Sequence, residues 1–411
     1  MTIAAIIAEY NPFHNGHEYM LKKIKEETGA DYIIAAMSGD FTQRGIPGIA
    51  DKHTRAKMAV SCGVDAVFEL PVRFATANAE QFATGAVSLF HAFSCVDYLV
   101  FGSECGNLED FTKASDVLSH ESKAFQSSIQ NYLRQGYSYP RAFTLALKET
   151  DFEAGISPNL LEHPNNLLGL EYVKALKKTA SPIRPLTIAR TGTGYHDAHT
   201  SFSEASGTLI ASAGAIRSAL TDKTGSIALA QPLLPAQSYR IFSESYGVTA
   251  PVTLDDFSLL LSARIAAETK ESLASFLDVP KELADRIYSF RDEFMPFTEL
   301  ISAIKHKQFT YARINRALVH ILLGLKEKKD AVPYARLLSV KKSASPLMKE
   351  LKKHSEIPII TKPADAGKLL DEASLSMFSE DVSAADLYNR IVSSKFDTKF
   401  VTDIRKSIEP V

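Results

Sequence analysis

Tryptophan is absent from this 411-residue chain, and cysteine occurs three times, as Cys62, Cys95 and Cys105. Three thiols at irregular spacing are too few for a disulfide framework or a zinc ribbon, so they read as buried or half-buried side chains. No apolar stretch approaches the roughly 20 residues that span a bilayer. The N-terminal apolar run is short, lacks a basic leader and meets Glu9 almost at once. That argues against a signal peptide and leads us to expect a cytoplasmic protein with no membrane contact. Internal repeats, coiled-coil heptads and low-complexity tracts are also missing, and no protein partner is evident.

Net charge is nearly absent as well, at −2, but the balance conceals a segregation. From Glu299 to Lys353 there are thirteen Lys or Arg against four Asp or Glu, a local excess of nine positive charges, and the remainder is acidic. Such a split suits one region that faces a polyanion, although a lysine-rich helix face is often merely solvated. The length suggests two or three domains.

Up to about residue 105, short apolar runs alternate with helical periodicity, which predicts βαβ units and a parallel sheet. The expected strands are Ile3–Ala8, Tyr32–Met37, Ala66–Leu70 and Tyr98–Phe101, with helices beginning near Asn15, Asp51 and Asn78. Asp51 reads as an N-cap, and the helix after it should end at Gly63. Residues 107–160 read as mostly helical. "HPNNLLGLEYVKALKK" predicts a helix, "IRPLTIAR" a strand ending at Arg190, and "TGTGYHDAHTSFSEASGT" a polar loop, with a further helix at "AIRSAL". From about residue 250 helical periodicity dominates, and "SEIPIIT" could form a lone strand. The expectation is an α/β, Rossmann-like nucleotide-binding domain over residues 1–230, followed by a mainly α-helical domain over residues 231–411. Parallel sheets gather ligands at the carboxyl ends of their strands, so the loops "EYNPFHNGH", "SGDFTQRG", "PVRFATANAE" and "GSECGN" should converge on one crevice.

The first of these loops carries the chemistry. His14 and His17 stand one turn apart at the start of a helix, with Gly16 between them leaving room for a ligand to approach the backbone. A helix start also offers unpaired N–H groups and partial positive charge, both of which favour phosphate. The pair therefore reads as neutral or charged donors to the oxygens of a triphosphate. Paired histidines also occur in "HDAH", residues 196–199, but in a Gly-rich loop with no third ligand at a recognisable spacing, so no metal site is assigned.

"HNGH" preceded by "NPFH" resembles the signature of the HIGH superfamily, which includes class I aminoacyl-tRNA synthetases and nucleotidylyltransferases. Further stretches resemble one of its families, the tRNA(Met) cytidine acetate ligases: "AEYNPFHNGH", "MSGDFTQRG", "DKHTRAKMA", "FELP", "FGSE", "PNNLLGLEYVKAL", "RTGTGYHD", "YARINRALVHILLG" and "IPIITKP". They occur in order and span nearly the whole chain.

The resemblance implies ATP-dependent acetylation of N4 of the wobble cytidine of elongator tRNA(Met). Acetate would attack the α-phosphorus of ATP, pyrophosphate would leave, and the cytosine amine would take the acetyl group from acetyl-adenylate. By resemblance, ATP contacts fall on Ile7, Ala8, Glu9, Tyr10, Asn11, Pro12, Phe13, His14, Asn15, Gly16, His17, Glu18, Tyr19 and Met20, on Gly102, on Asn165 or Asn166, and on Arg190. His14 and His17 would be the catalytic pair, stabilising charge on the departing pyrophosphate. Arg190 could hold phosphate through its forked donors. Magnesium would accompany ATP through its phosphates rather than in a protein cage. A departure from the superfamily pattern lies at "IASAGAIR", where Gly214 stands in place of an expected threonine while Ser212 and Arg217 remain.

For acetyl transfer a base near N4 would help, and Asp40 and Glu104 both lie on crevice loops. "KHKQFTYARINRAL" puts Lys305, Lys307, Arg313 and Arg316 near Phe309 and Tyr311, a mixture that can contact phosphates and stack on bases, and it is assigned to tRNA binding. The alternative reading is a small-molecule nucleotidylyltransferase of cofactor biosynthesis, which leaves the basic helical half without a role.

Overall fold

The computed structural model describes residues 1–119, 123–137, 139–149, 160, 163–190, 201–203, 208–222, 224–327, 329, 331–408 and 410–411. Its centre is a seven-stranded sheet. Strands β1 (Ile3–Ala8), β2 (Tyr32–Ser38), β3 (Ala66–Leu70), β4 (Tyr98–Ser103) and β5 (Arg184–Ala189) form the parallel part. Along β1 the side chains alternate between two cores. Ile3 and Ala5 join Phe82, Phe90 and Leu170 on one face, and Ala4 and Ile6 join Leu21, Ile24 and Met58 on the other. The helices Asn15–Thr28 and Lys52–Ser61 thus cover one face, and Ala79–Ala92 and Pro164–Lys178 the opposite one. Because β1 feeds a helix on one face and β4 a helix on the other, their adjacent ends open a switch-point crevice.

The helix boundaries follow their caps. Asp51 accepts from the His53 and Thr54 N–H groups, and Asn78 accepts from Gln81 N–H. The first of these helices stops at Ser61 with Cys62 as its C-cap, two residues short of the Gly63 the sequence suggested. Part of the expected loop after β5 is instead a hairpin, β6 (Ser201–Ser203) against β7 (Thr208–Ile210). The "HDAH" histidines lie outside the described residues.

The sheet also draws on sequence far beyond residue 230. A strand read as helical surroundings, β8 (Ala335–Val340), pairs antiparallel with β3, and β9 (Ile359–Ile360) is not alone but pairs parallel with β8, giving the order β5-β4-β1-β2-β3-β8-β9. Between residue 254 and residue 323 the chain forms short helices around their own core of Phe257, Leu261, Leu283, Ile287, Phe297 and Leu318, into which Phe41 and Val72 of the α/β part insert, whereas the helix Ala236–Ser245 joins the sheet core through Ile241 and Phe242. The long helix Glu372–Phe396 packs on both parts, with Phe378 in the sheet core and Tyr388 in the helical core.

Charge fastens this return. Lys52 Nζ lies 2.8 Å from Glu69 Oε1 and 2.9 Å from Asp403 Oδ2, and Arg336 Nη1 lies 3.1 Å from Glu69 Oε2 and 2.6 Å from the same Asp403 oxygen. All four side chains are buried. Arg336 Nη1 thus stands at ion-pair distance from both carboxylates. Two cations and two carboxylates at one point balance each other, and removal of one partner leaves an uncompensated charge in a medium that penalises it heavily.

Candidate functional site

At the end of β1 the chain turns sharply. Tyr10 adopts a left-handed φ of 46°, and the Asn11–Pro12 bond is cis. His14 then caps the helix Asn15–Thr28: its Nδ1 accepts from Gly16 N–H at 3.1 Å, while its own N–H donates to His17 Nδ1 at 3.2 Å. Imidazoles thus fill both roles of a reciprocal capping box. A backbone N–H can only donate, so both Nδ1 atoms are unprotonated and each neutral ring carries its proton on Nε2. The two rings stack with centroids 3.8 Å apart and planes 25° from parallel.

Burial, reinforced by the guanidinium charges of Arg190 and Arg217, pushes the His14 pKa down to about 3. Burial, His14 and Arg190 hold His17 well below the usual imidazole range. Of the two protonation states open from sequence, the structure therefore selects the neutral one. The histidines supply directed Nε2–H donors, and the positive charge comes from the arginines.

Arg190 follows β5, its backbone N–H bonded to Ser103 O at 2.9 Å. Gly102 brings three elements together, since a Cβ there would lie 2.7 Å from Met20 Cε and 3.3 Å from Arg190 Cγ. Arg217 donates to Asn11 O at 2.8 Å, from a helix, Ala213–Thr221, whose N-cap is Ser212. At Gly214 an added Cβ would meet Ser212 Oγ at 3.7 Å and Arg217 Nη2 at 3.9 Å, ordinary contacts, so packing does not demand glycine there. Gly16 is different: the space beside it is filled by the His14 ring, 3.0 Å from a Cβ, so this glycine serves the cap as well as any ligand.

Several side chains of the opening segment turn into the protein. Tyr10 packs its ring on Phe13 at 4.9 Å and on His17 at 5.0 Å. Asn11 accepts from Ile49 N–H and donates to Pro47 O. Asn15 donates to Leu209 O at 2.8 Å and Pro232 O at 2.9 Å. Phe13 and Pro12 are buried, and Glu18 and Tyr19 meet Lys22 and Lys23 on the outside of the helix. Ile7 and Ala8 are the last strand residues, half-buried at the crevice. These residues shape the loop, and His14 and His17 stand stacked at its helix end, beside the carboxyl end of β1.

The two asparagines part ways. Asn166 is buried, its amide oxygen accepting from the Glu104 and Cys105 N–H groups at 2.9 and 3.2 Å. Asn165 is half-buried and donates to Glu104 Oε1 at 2.6 Å, while Glu104 Oε2 accepts from Asn166 N–H at 3.1 Å. Glu104 is thereby committed to the start of the helix Pro164–Lys178. Asp40 is committed too, buried and accepting from Lys52 N–H at 2.7 Å, with burial raising its pKa.

Two contributors carried no role in the sequence reading. Buried Arg55 donates to Glu9 O at 2.6 Å, Ala50 O at 2.9 Å and Ser38 O at 3.2 Å, and to Gly39 O, so it clamps the loops after β1 and β2. Gln43 N–H donates to Glu9 Oε1 at 2.9 Å. Two residues on, Gly45 has φ 65°, and a Cβ there would sit 2.3 Å from the backbone nitrogen of Arg316. The "SGDFTQRG" loop thus joins the crevice to the helix Tyr311–Leu323.

On that side, Tyr311 is exposed by 58 % with Lys305 Nζ 5.3 Å from its ring centre, whereas Phe309 is buried under Arg313. Lys307 is exposed, but Arg316 pairs with Asp278 at 2.9 Å and is largely buried. Among the described residues no group of three metal-ligating side chains occurs, and no helix is long and apolar enough to cross a membrane.

Comparison with known proteins matches residues 1–402 to the HIGH Nucleotidyl Transferase family. The chain belongs to that family. A tRNA(Met) cytidine acetate ligase of Acetivibrio thermocellus is 35% identical over 398 residues, covering 94% of both chains. One from Thermoanaerobacter sp. is 37% identical over 393 residues, covering 94% of this chain and 95% of its own. Relatives at this level place the chain among the tRNA(Met) cytidine acetate ligases. Two crystal structures of Thermotoga maritima TmcAL, each 28% identical, share its fold: an apo form with a TM-score of 0.91 that covers 99% of both chains, and one bound with alpha-thio ATP with a TM-score of 0.86 that covers 98% of this chain and 99% of its own. The HIGH pair thus sits in a ligase-family chain, at the switch-point crevice between β1 and β4.

Proposed function

We propose that this protein uses ATP to activate acetate and transfers the acetyl group to N4 of the wobble cytidine of elongator tRNA(Met), in the cytoplasm. The observation that carries this reading is the arrangement of two stacked, neutral, Nε2-protonated imidazoles beside two guanidinium groups at the switch-point crevice. Neutral N–H donors and fixed cations suit the tail of ATP, whose charge shifts toward pyrophosphate as acetate attacks the α-phosphorus. His14 and His17 contact the leaving oxygens, Arg190 neutralises the developing charge, and Gly102 lets the nucleotide lie close to β4. Of the asparagine pair, half-buried Asn165 faces the nucleotide, while Asn166 holds the loop. The donors round the tail offer nothing to Mg2+, which enters already held by the phosphates.

Residues 1–230 supply the adenylation crevice, and tRNA binding falls to the helical part of residues 231–411. Lys305, Lys307 and Arg313 contact phosphate. Arg316 serves instead to fix the helix through Asp278.

The test is incubation with ATP, labelled acetate and total tRNA, followed by nucleoside analysis. Acetylated cytidine that vanishes in His14→Ala and His17→Ala supports the reading. Transfer of AMP to a small phosphate-bearing acceptor, with no modified nucleoside, overturns it.

A further inference from the structure

The acetyl-transfer step needs a group to receive the proton of the attacking amine. The two carboxylates that the sequence offers, Asp40 and Glu104, are both occupied as described. A third carboxylate, Glu9, lies at the end of β1. Its position continues the alternation of Ile3, Ala5 and Ile7, which face the core beneath the helix Pro164–Lys178. Its charge is felt on that side: after burial, Glu9 is the cause that raises the phenol of Tyr172, a residue of this helix. His14 and His17 instead begin the helix that covers the other face. Glu9 and the histidines therefore flank the crevice from opposite sides.

Glu9 is half-buried, and one of its oxygens is held by Gln43 N–H at 2.9 Å. Among the described residues no hydrogen bond reaches the other. The Gln43 loop is in turn pressed, through Gly45, onto the helix Tyr311–Leu323. Glu9 thus stands where the crevice meets the helix assigned to tRNA. We propose that Glu9 is a catalytic residue of the second step, orienting the cytosine amine and accepting its proton, rather than a ligand of ATP. This rests on the acetyl-transfer reading above.

The N4 lone pair forms the C–N bond at the acetyl carbon, and the C=O electrons move onto oxygen. They return as the C–O bond to phosphate breaks, so AMP leaves with that electron pair. Glu9 takes one N–H proton and later releases it to water. A carboxylate opposite the leaving phosphate does this without opposing its departure, because the nucleotide's charge is already met by Arg190 and Arg217 on the far side.

The experiment compares Glu9→Gln and Glu9→Asp with the unmodified protein. Glutamine keeps an oxygen for Gln43 N–H and removes the base. Acetate-dependent ATP–pyrophosphate exchange reports the first step, and single-turnover acetyl transfer to tRNA the second. In Glu9→Gln, transfer falls at least about 100-fold further than exchange, its rise with pH flattens, and the KM for tRNA stays put. Glu9→Asp recovers part of the transfer. Equal loss in both steps, or no selective loss of transfer, overturns the assignment. If the unmodified protein shows no acetate-dependent exchange, the underlying reading fails, and this inference with it.

Discussion

The imidazoles of His14 and His17 stack at 3.8 Å between ring centroids while each Nδ1 is taken by a backbone N–H. The pair is therefore a rigid, uncharged double donor built into a helix cap. Cap and chemistry can be separated by substitution. Asparagine at position 14 keeps a capping oxygen, so His14→Asn should cost only a few tenths of a kcal/mol in stability, whereas His14→Ala should cost about 1 kcal/mol. Both should lower acetate-dependent exchange by about 100-fold. Urea melts and exchange rates measured on the same samples check the separation.

Protonation behaviour follows from the same burial. Burial holds the His14 pKa at about 3 in the folded protein against 6.5 for a free imidazole, so the unfolded chain binds the extra proton between these values. The stabilising contribution is fully present above pH 6.5, is lost as pH falls toward 3, and has the same sign for His17. Nitrogen NMR of labelled histidine should find both rings as the Nε2–H tautomer without titration from about pH 5 to 8. A midpoint near the free-imidazole value for either would contradict the burial.

The strands β1 to β4 and their helices were readable because apolar runs of strand length alternate with capped amphipathic segments, each a local signal. Strand β8 was not readable. Arg336 interrupts its apolar pattern, and what makes that burial tolerable is Glu69 and Asp403, both far away in sequence. The same holds for Arg316, whose basic character pointed to RNA until Asp278 was seen beside it. At the helix cap, the closeness of His14 and His17 was legible from their spacing, but not their charge state, which depends on burial and on Arg190 and Arg217. Gln43 and Arg55 gave no signal, because each acts through backbone groups brought near only by the sheet.

Breaking the buried quartet should be costly. Asp403→Asn leaves Lys52 and Arg336 facing one carboxylate and should destabilise the protein by about 3–5 kcal/mol. Lys368→Ala, which removes a surface pair with Asp365, should cost less than about 1 kcal/mol. Denaturant titration of the two variants gives the comparison.

The loop that joins the crevice to the basic helix should be sensitive to a single methyl group. In Gly45→Ala the added carbon meets the Arg316 backbone and φ is left-handed, so the helix must move away. The KM for tRNA should rise about 10-fold, with a smaller change in exchange. Tyr311→Ala should raise that KM by a similar factor through lost stacking, and Tyr311→Phe should not, since stacking on a base contributes about 1–3 kcal/mol.

The contact between Lys52 and Asp403 spans 351 positions of sequence, which has a consequence for how the protein is made. While a ribosome is still delivering the C-terminal part, the helix that begins at Lys52 has an ammonium group and no second acid to neutralise it. The helix from which Arg55 clamps the crevice loops therefore has its buried charge fully balanced only once Asp403 has joined the fold.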